Sequence, residues 1–333
     1  MRRIIGSRIG SQVMGTLPSP QSLSFSTKAA SGGAPGFNIL FFCPRNDKHF
    51  QSFNSEYPDF IKEVSPESVS VTDVAHNPEN SAQAITSLLR NEIMPEMIIP
   101  HLVLIGHNRE DTDKKIQFFR DNGIKSMFVV RGNPAVVGKD RDYTHHPDGY
   151  EDMPDLMRRI KELAPEMKIL VAGYPGKHPF ARTFEEDMDE LKDKVNCGAD
   201  GIITQHFFDN KVFLRFLEGC KRRGVDVPII PSILPIGNPK YLFSFSKSAD
   251  VDVPADVVKI LFGQEGMTTD SETIEDKDVR KRAIDYTSAQ IRELMQLEQV
   301  PRINTYAANN IPFLRDVLES VGVTKTPERG ASR

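Results

Sequence analysis

Along residues 37–323 the chain repeats one pattern, a short apolar run followed by a polar segment whose apolar positions return every three or four residues. The runs are FNILFFC (37–43), SVSVT (68–72), HLVLIG (101–106), SMFVV (126–130), KILVAG (168–173), DGIIT (200–204), VPIIP (227–231) and RINTY (302–306). Nearly continuous apolar runs of this length mark strands covered on both faces, as in a parallel sheet. Between most of them lie segments such as SAQAITSLLRNEI, TDKKIQFFRDNGI, MPDLMRRIKELAP, FEEDMDELKDKV and KVFLRFLEGCKRRG, which carry the period of an amphipathic helix. Eight strand–helix units predict an α/β fold, a single-domain (β/α)8 TIM barrel. No Gly-x-Gly-x-x-Gly follows the first run, so a Rossmann domain is disfavoured.

In such a barrel, chemistry belongs to the C-terminal ends of the strands, and those positions are polar here. They include Arg45, Thr72, His76, His107, Asn108, Arg131, Gly132, Asn133, Tyr174, His178, Gln205, Asp209, Asn309 and Asn310, while His101 opens its run. The stretch VVRGNP (129–134) is the clearest case: an apolar strand ends in a cation, a glycine and an amide.

Composition trims the alternatives. The 333 residues are 39% hydrophobic and 26% charged with a net charge of −4, and there is no basic stripe, which argues against nucleic acid. No apolar run is long enough to span a bilayer. Cys43, Cys197 and Cys220 have neither disulfide-framework nor zinc spacing, and Cys43 reads as a small buried hydrophobe. His145-His146 lacks a third ligand at a readable spacing and reads as a solvated loop. Residues 1–36 are rich in Ser, carry Arg2, Arg3, Arg8 and Lys28, and hold no acid, which predicts a mitochondrial transit peptide and linker and hence a matrix or matrix-facing location. Residues 324–333 read as a tail, frayed or partner-bound.

The run VAGYPGKHPFARTFEEDMDELKDKVNCGADGIITQHFFDN (171–210), followed by VPIIPSILPI (227–236), resembles the methylenetetrahydrofolate reductase family. SVSVT, PHLVLIGHNRE and the Arg-Gly turn fall in matching order, so the resemblance covers about residues 37–323 in a short, barrel-only form. It implies a barrel that holds FAD without a covalent bond, is reduced by NAD(P)H, and passes hydride to methylenetetrahydrofolate. Positions matching the family's flavin contacts are Thr72, His101, Arg131, Gly132, Asn133, Tyr174, His178, Asp187 and Lys194, and Gln205 matches a folate contact. Arg131 and Lys194 suit a pyrophosphate, and Asp187 suits a ribose hydroxyl.

Two departures bear on the reaction. The family's first strand reads Phe-Glu-Phe-Phe-Pro-Pro-Arg, its glutamate being the general acid; here the segment is Ile39-Leu40-Phe41-Phe42-Cys43-Pro44-Arg45, with Leu40 in the acid's place. The aspartate that follows the family's Arg-Gly turn is Asn133, an amide that cannot titrate near neutral pH. Pro239 further replaces a stacking phenylalanine, and Asn310 aligns loosely with a late arginine of the flavin site. These changes predict a flavin-binding barrel without normal folate reductase activity, a pseudoenzyme serving as accessory subunit of a mitochondrial complex such as a respiratory one. The alternatives are an active FAD-dependent reductase using NAD(P)H in one-carbon metabolism, with Asp73, Asp209, Asp47 or Glu56 as a substitute acid, and a flavin or folate sensor.

Overall fold

A computed structural model describes residues 36–73, 78–132, 146–263, 270–308 and 310–323. Strands β1 (Gly36–Phe41), β2 (Ser68–Val71), β3 (Ile98–Val103), β4 (Ser126–Val130), β5 (Lys168–Gly173), β6 (Gly201–His206), β7 (Ile229–Ile233) and β8 (Arg302–Tyr306) pair in chain order, all parallel. Pairing of β8 with β1 closes the barrel, so the expected (β/α)8 fold is the fold observed. The helices are α1 (Asp47–Val64), α2 (Pro78–Arg90), α3 (Arg109–Asp121), α4 (Met153–Leu163), α5 (Phe184–Asn196), α6 (Asn210–Arg222), α7 (Pro239–Ser248), α8 (Ala255–Phe262), α9 (Lys277–Met295) and α10 (Ile311–Ser320). Among the described residues, no helix is long and apolar enough to cross a membrane. The transit-like segment, apart from Gly36, and the tail lie outside the described residues.

Period-two alternation divides each strand between two cores. Outward residues pack under the helices, as where Phe41 stacks on Tyr57 of α1 with ring centroids 4.6 Å apart. Inward residues fill the barrel in two halves. Ile99, Phe128, Leu170, Ile203 and Ile230 from β3 to β7 form an apolar plug. On the other side Asn38 bonds the Ser70 hydroxyl at 2.9 Å and the side chain of Asn304, which donates to Ser232 at 2.8 Å. Burying amides at this depth is tolerable because each finds partners on neighbouring strands.

Two sequence readings need correction. The third strand begins at Ile98, not at His101, so His101 lies mid-strand with its side chain inside the barrel. Pro100 hid this, yet it faces the last residue of β2, Val71, where a missing N–H costs the ladder only at its end. The polarity of the strand ends is also partly a matter of helix capping. Asn108, Asp209 and Asn310 accept from the backbone N–H groups of Asp111, Lys211 and Phe313, the donors a helix start leaves unpaired. Helix α1, which contains Pro58, was not visible in the apolar pattern.

Candidate active site

The C-terminal mouth holds two distinct groupings, and the first is cationic. Strand β4 runs out through Arg131 and turns at Gly132, whose φ is +99°. A Cβ there would sit 2.5 Å from Val103 Cγ1 and 2.7 Å from Ile105 Cγ1, so only glycine fits both the angle and the space. The loop from β5 to α5 brings Lys177, His178 and Phe180 alongside. Lys177 Nζ donates to the carbonyls of His178 (3.1 Å) and Ala181 (2.6 Å), and His178 N donates to Asp187 Oδ2 at 2.8 Å. Asp187 is 4% exposed in the first turn of α5, where the helix dipole favours its charge.

Electrostatics record how crowded this grouping is. Burial, then Arg131, Lys194 and Lys177, push the His178 imidazole down to about 4, so it is neutral. Burial and the Arg131 charge lower Lys194, against the pull of Asp187 and Glu190, and burial raises Asp187. Tyr174 stands edge-on to His178 at 4.4 Å, and burial lifts its hydroxyl to about 12. His101 faces the same interior, edge-on to Phe128 at 4.7 Å, with its Nε2 buried and unpartnered. Burial holds His101 down at about 4.

The second grouping is aromatic and lies across β6, β8 and α7. Leu40, 3% exposed, shares the inward face of β1 with Asn38, one layer nearer the mouth, and its register partners are Ser70 and Tyr306. The Tyr306 hydroxyl approaches Gln205 Oε1 at 3.4 Å, which also accepts from His206 N at 2.9 Å. Phe245 stacks between Tyr241 and His206, with centroids 5.0 Å from each. Burial lowers His206 to about 3 and raises Tyr306 and Tyr241 above the usual phenol range.

This arrangement can now be set beside known proteins. The family profile "Methylenetetrahydrofolate reductase" matches residues 26–322. The chain belongs to the methylenetetrahydrofolate reductase family. It is 30% identical over 293 residues to the 5,10-methylenetetrahydrofolate reductase of Pectobacterium carotovorum subsp. carotovorum, covering 87% of this chain and 91% of that one. The Escherichia coli (strain K12) enzyme of the same name also matches at 30% over 293 residues, 87% and 92% of the two chains. Methylenetetrahydrofolate reductase (NADH) 1 of Arabidopsis thaliana matches at 28% over 240 residues, 69% of this chain but 40% of its own. Among solved structures, an uncharacterised protein from Clostridium thermocellum that binds two copies of 5-methyl-5,6,7,8-tetrahydrofolic acid superposes with a TM-score of 0.62 at 14% identity, over 87% of this chain and 96% of that one. That likeness shows a shared fold.

Within this methylenetetrahydrofolate reductase barrel, the expected site residues fall into place unevenly. Arg131, Gly132, Tyr174, His178, Asp187 and Lys194 gather at the β4–β5 side of the mouth, with His101 on the inward face of neighbouring β3. Thr72 lies at the end of β2, where its hydroxyl accepts from Cys43 N at 2.9 Å. Gln205 sits in the aromatic grouping. Asn133, His76, Asn309 and His145 lie outside the described residues.

Two of the four substitute acids are committed to other partners, and the other two stand exposed on α1. Asp73 has a fully enclosed side chain whose two oxygens each accept from Lys115 Nζ at 2.8 Å, with His107 Nε2 at 3.6 Å. Burial alone would raise this carboxyl, but the His107 hydrogen bond and the Lys115 charge hold it well below the usual carboxylate range, so it keeps no proton to give. Asp209 caps α6, Asp47 stands exposed in the first turn of α1, and Glu56 is exposed two turns further along. Cys43 is a buried thiol pushed up to about 12 by burial and then by Asp73, which suits a packed hydrophobe and not a nucleophile. Among the described residues no cluster of metal-binding side chains occurs, and His146 Nδ1 accepts from Asp148 N.

Two positions that depart from the family have local structural roles. Pro239 is buried at the first position of α7, a common place for proline, and the Phe245 ring of the same helix is taken up by stacking on Tyr241 and His206. Asn310 is the cap of α10, and its amide donates to Gly237 O at 3.0 Å, tying two mouth loops together. Sequence reading missed Lys177, Phe180, His206, Tyr241, Phe245 and Tyr306. Tyr306 escaped because it is the last residue within its strand, and Tyr241 and Phe245 because they share one face of α7 at i, i+4 spacing.

Proposed function

We propose that this chain is an FAD-holding reductase of its family, drawing on NAD(P)H and acting on methylenetetrahydrofolate in one-carbon metabolism. The observation that carries the reading is the cationic grouping of Arg131, Lys177 and Lys194 around His178 and Asp187. That donor set fits a dinucleotide: fixed cations for its phosphates, glycine at a strand end, and the unpartnered His101 Nε2 aimed into the barrel. FAD, when bound, supplies a reversible hydride acceptor. Arg131 and Lys194 would neutralise its phosphates, Tyr174 and His178 would wall the site, and Asp187 would hold the β5–α5 loop in position.

Folate chemistry also needs a proton, and here the aliphatic Leu40 decides what is offered. In the aromatic grouping beside Leu40, Tyr306, Tyr241 and His206 are titratable, and burial disfavours the charged form of each. Leu40 therefore favours a second reading: a barrel that keeps flavin but turns folate over poorly, retained as an accessory subunit of a mitochondrial assembly, with the Arg-rich N-terminal segment as its address.

One experiment tests both readings. Purified full-length protein is titrated with FAD, reduced anaerobically by NADH or NADPH, and mixed with methylenetetrahydrofolate while flavin absorbance is followed. Reduction followed by folate-dependent reoxidation supports the first reading. Reduction without reoxidation supports the second, and failure to bind FAD would sink both.

A further inference from the structure

Phe180 sits at the rim of the cationic grouping with 53% of its surface exposed, and it is the one aromatic among the large exposed hydrophobic residues of the described chain. Its ring lies over the Arg131 guanidinium, 4.3 Å from ring centroid to Cζ. The backbone that presents it is pinned at several points. Phe180 N donates to His178 Nδ1 at 3.1 Å, Ala181 N donates to His178 O at 3.0 Å, and Lys177 Nζ ties down both the His178 and Ala181 carbonyls. His178 can accept from Phe180 N because burial, helped by the surrounding cations, keeps its ring neutral. A ring displayed on a braced loop, with much of its surface open to solvent and cations close by, has the chemistry of a nucleotide reader: base on the ring, phosphates on the cations.

Resting on the FAD reading above, we propose that Phe180 is a specificity-determining residue, stacking against the adenine of the dinucleotide while Arg131 beneath it meets the phosphates. The consequence is selection of FAD over FMN, which shares the flavin ring and one phosphate but lacks the adenosine.

Dissociation constants for FAD and for FMN, measured by fluorescence titration of the flavin-free full-length protein, test this in wild type, Phe180→Ala and Phe180→Trp. Because the ring is largely exposed, Phe180→Ala is expected to melt at the wild-type temperature, checked by circular dichroism. Phe180→Ala is expected to weaken FAD about tenfold, the effect of losing one base–aromatic stack, with FMN unchanged and Phe180→Trp binding FAD like wild type. Equal weakening of FAD and FMN would assign Phe180 to Arg131 or to the loop alone and overturn the proposal, as would unchanged FAD affinity in Phe180→Ala. Wild type that binds no FAD would instead overturn the flavin reading itself.

Discussion

Leu40→Glu is the most informative perturbation, because it places a carboxyl on the inward face of β1 at the edge of the mouth. Leu40 is 3% exposed, so its removal forfeits about 1.5 to 3 kcal/mol of apolar burial. The new carboxyl has Ser70 and Tyr306 as register neighbours, and the Tyr306 hydroxyl can donate to it, which offsets part of its desolvation. A net loss of about 2 to 4 kcal/mol is expected, large for one substitution but within the stability of many domains. The same burial raises a glutamate above its usual value of about 4.3, keeping it protonated nearer neutral pH, as a general acid requires. A regained acid is worth about 10² to 10⁴ in rate, or about 2.7 to 5.5 kcal/mol of barrier. The assay is stopped-flow reoxidation of NADH-reduced protein by methylenetetrahydrofolate, expected to accelerate at least about a hundredfold while reduction by NADH stays unchanged. A variant that folds, binds FAD and is reduced normally, yet is reoxidised no faster, would refute the reasoning. So would wild-type reoxidation already at the variant's rate.

The remaining predictions concern stability. Lys115→Met strands the enclosed Asp73 charge and is expected to cost about 3 to 5 kcal/mol in urea unfolding, with much of the loss recovered in the Asp73→Asn, Lys115→Met double variant. Gly132→Ala places a Cβ 2.5 Å from Val103 Cγ1 at a φ of +99° and is expected to lower the melting temperature by several degrees, whereas Gly176→Ala, where a Cβ meets nothing within 4 Å, is expected to change it little. His101 and His178, held at about 4 against an ordinary 6.5, take up protons more readily unfolded than folded. Their contribution is therefore complete above about pH 6.5 and is lost as pH falls towards 4, about 3 kcal/mol for the buried His101. Asp73, ionised in the fold throughout this window, adds to the slope only near pH 4, where the unfolded carboxyl begins to take up a proton, so His101→Phe should flatten the fall of unfolding free energy measured between pH 7 and about 5.

The amino-acid sequence by itself determined the barrel and much of the cationic grouping. Strand and helix periods are local properties, and eight alternating units leave few ways to bury every apolar run except closure of a parallel sheet. The aliphatic Leu40, at the β1 position where the family resemblance implies an acid, was likewise legible, since the identity of a side chain is encoded directly. What only the tertiary structure decided is which polar residues were available for that chemistry. Asn108, Asp209 and Asn310 look like site residues in one dimension, yet each is spent on the unpaired amides of a helix start. Asp73 looks like a spare acid until Lys115, 42 residues away in sequence, is brought against both of its oxygens. Phe180 and Phe245 gain meaning only from partners on other elements, Arg131 under one ring and His206 against the other. Periodicity is written along the chain, whereas pairing depends on distances that folding alone creates.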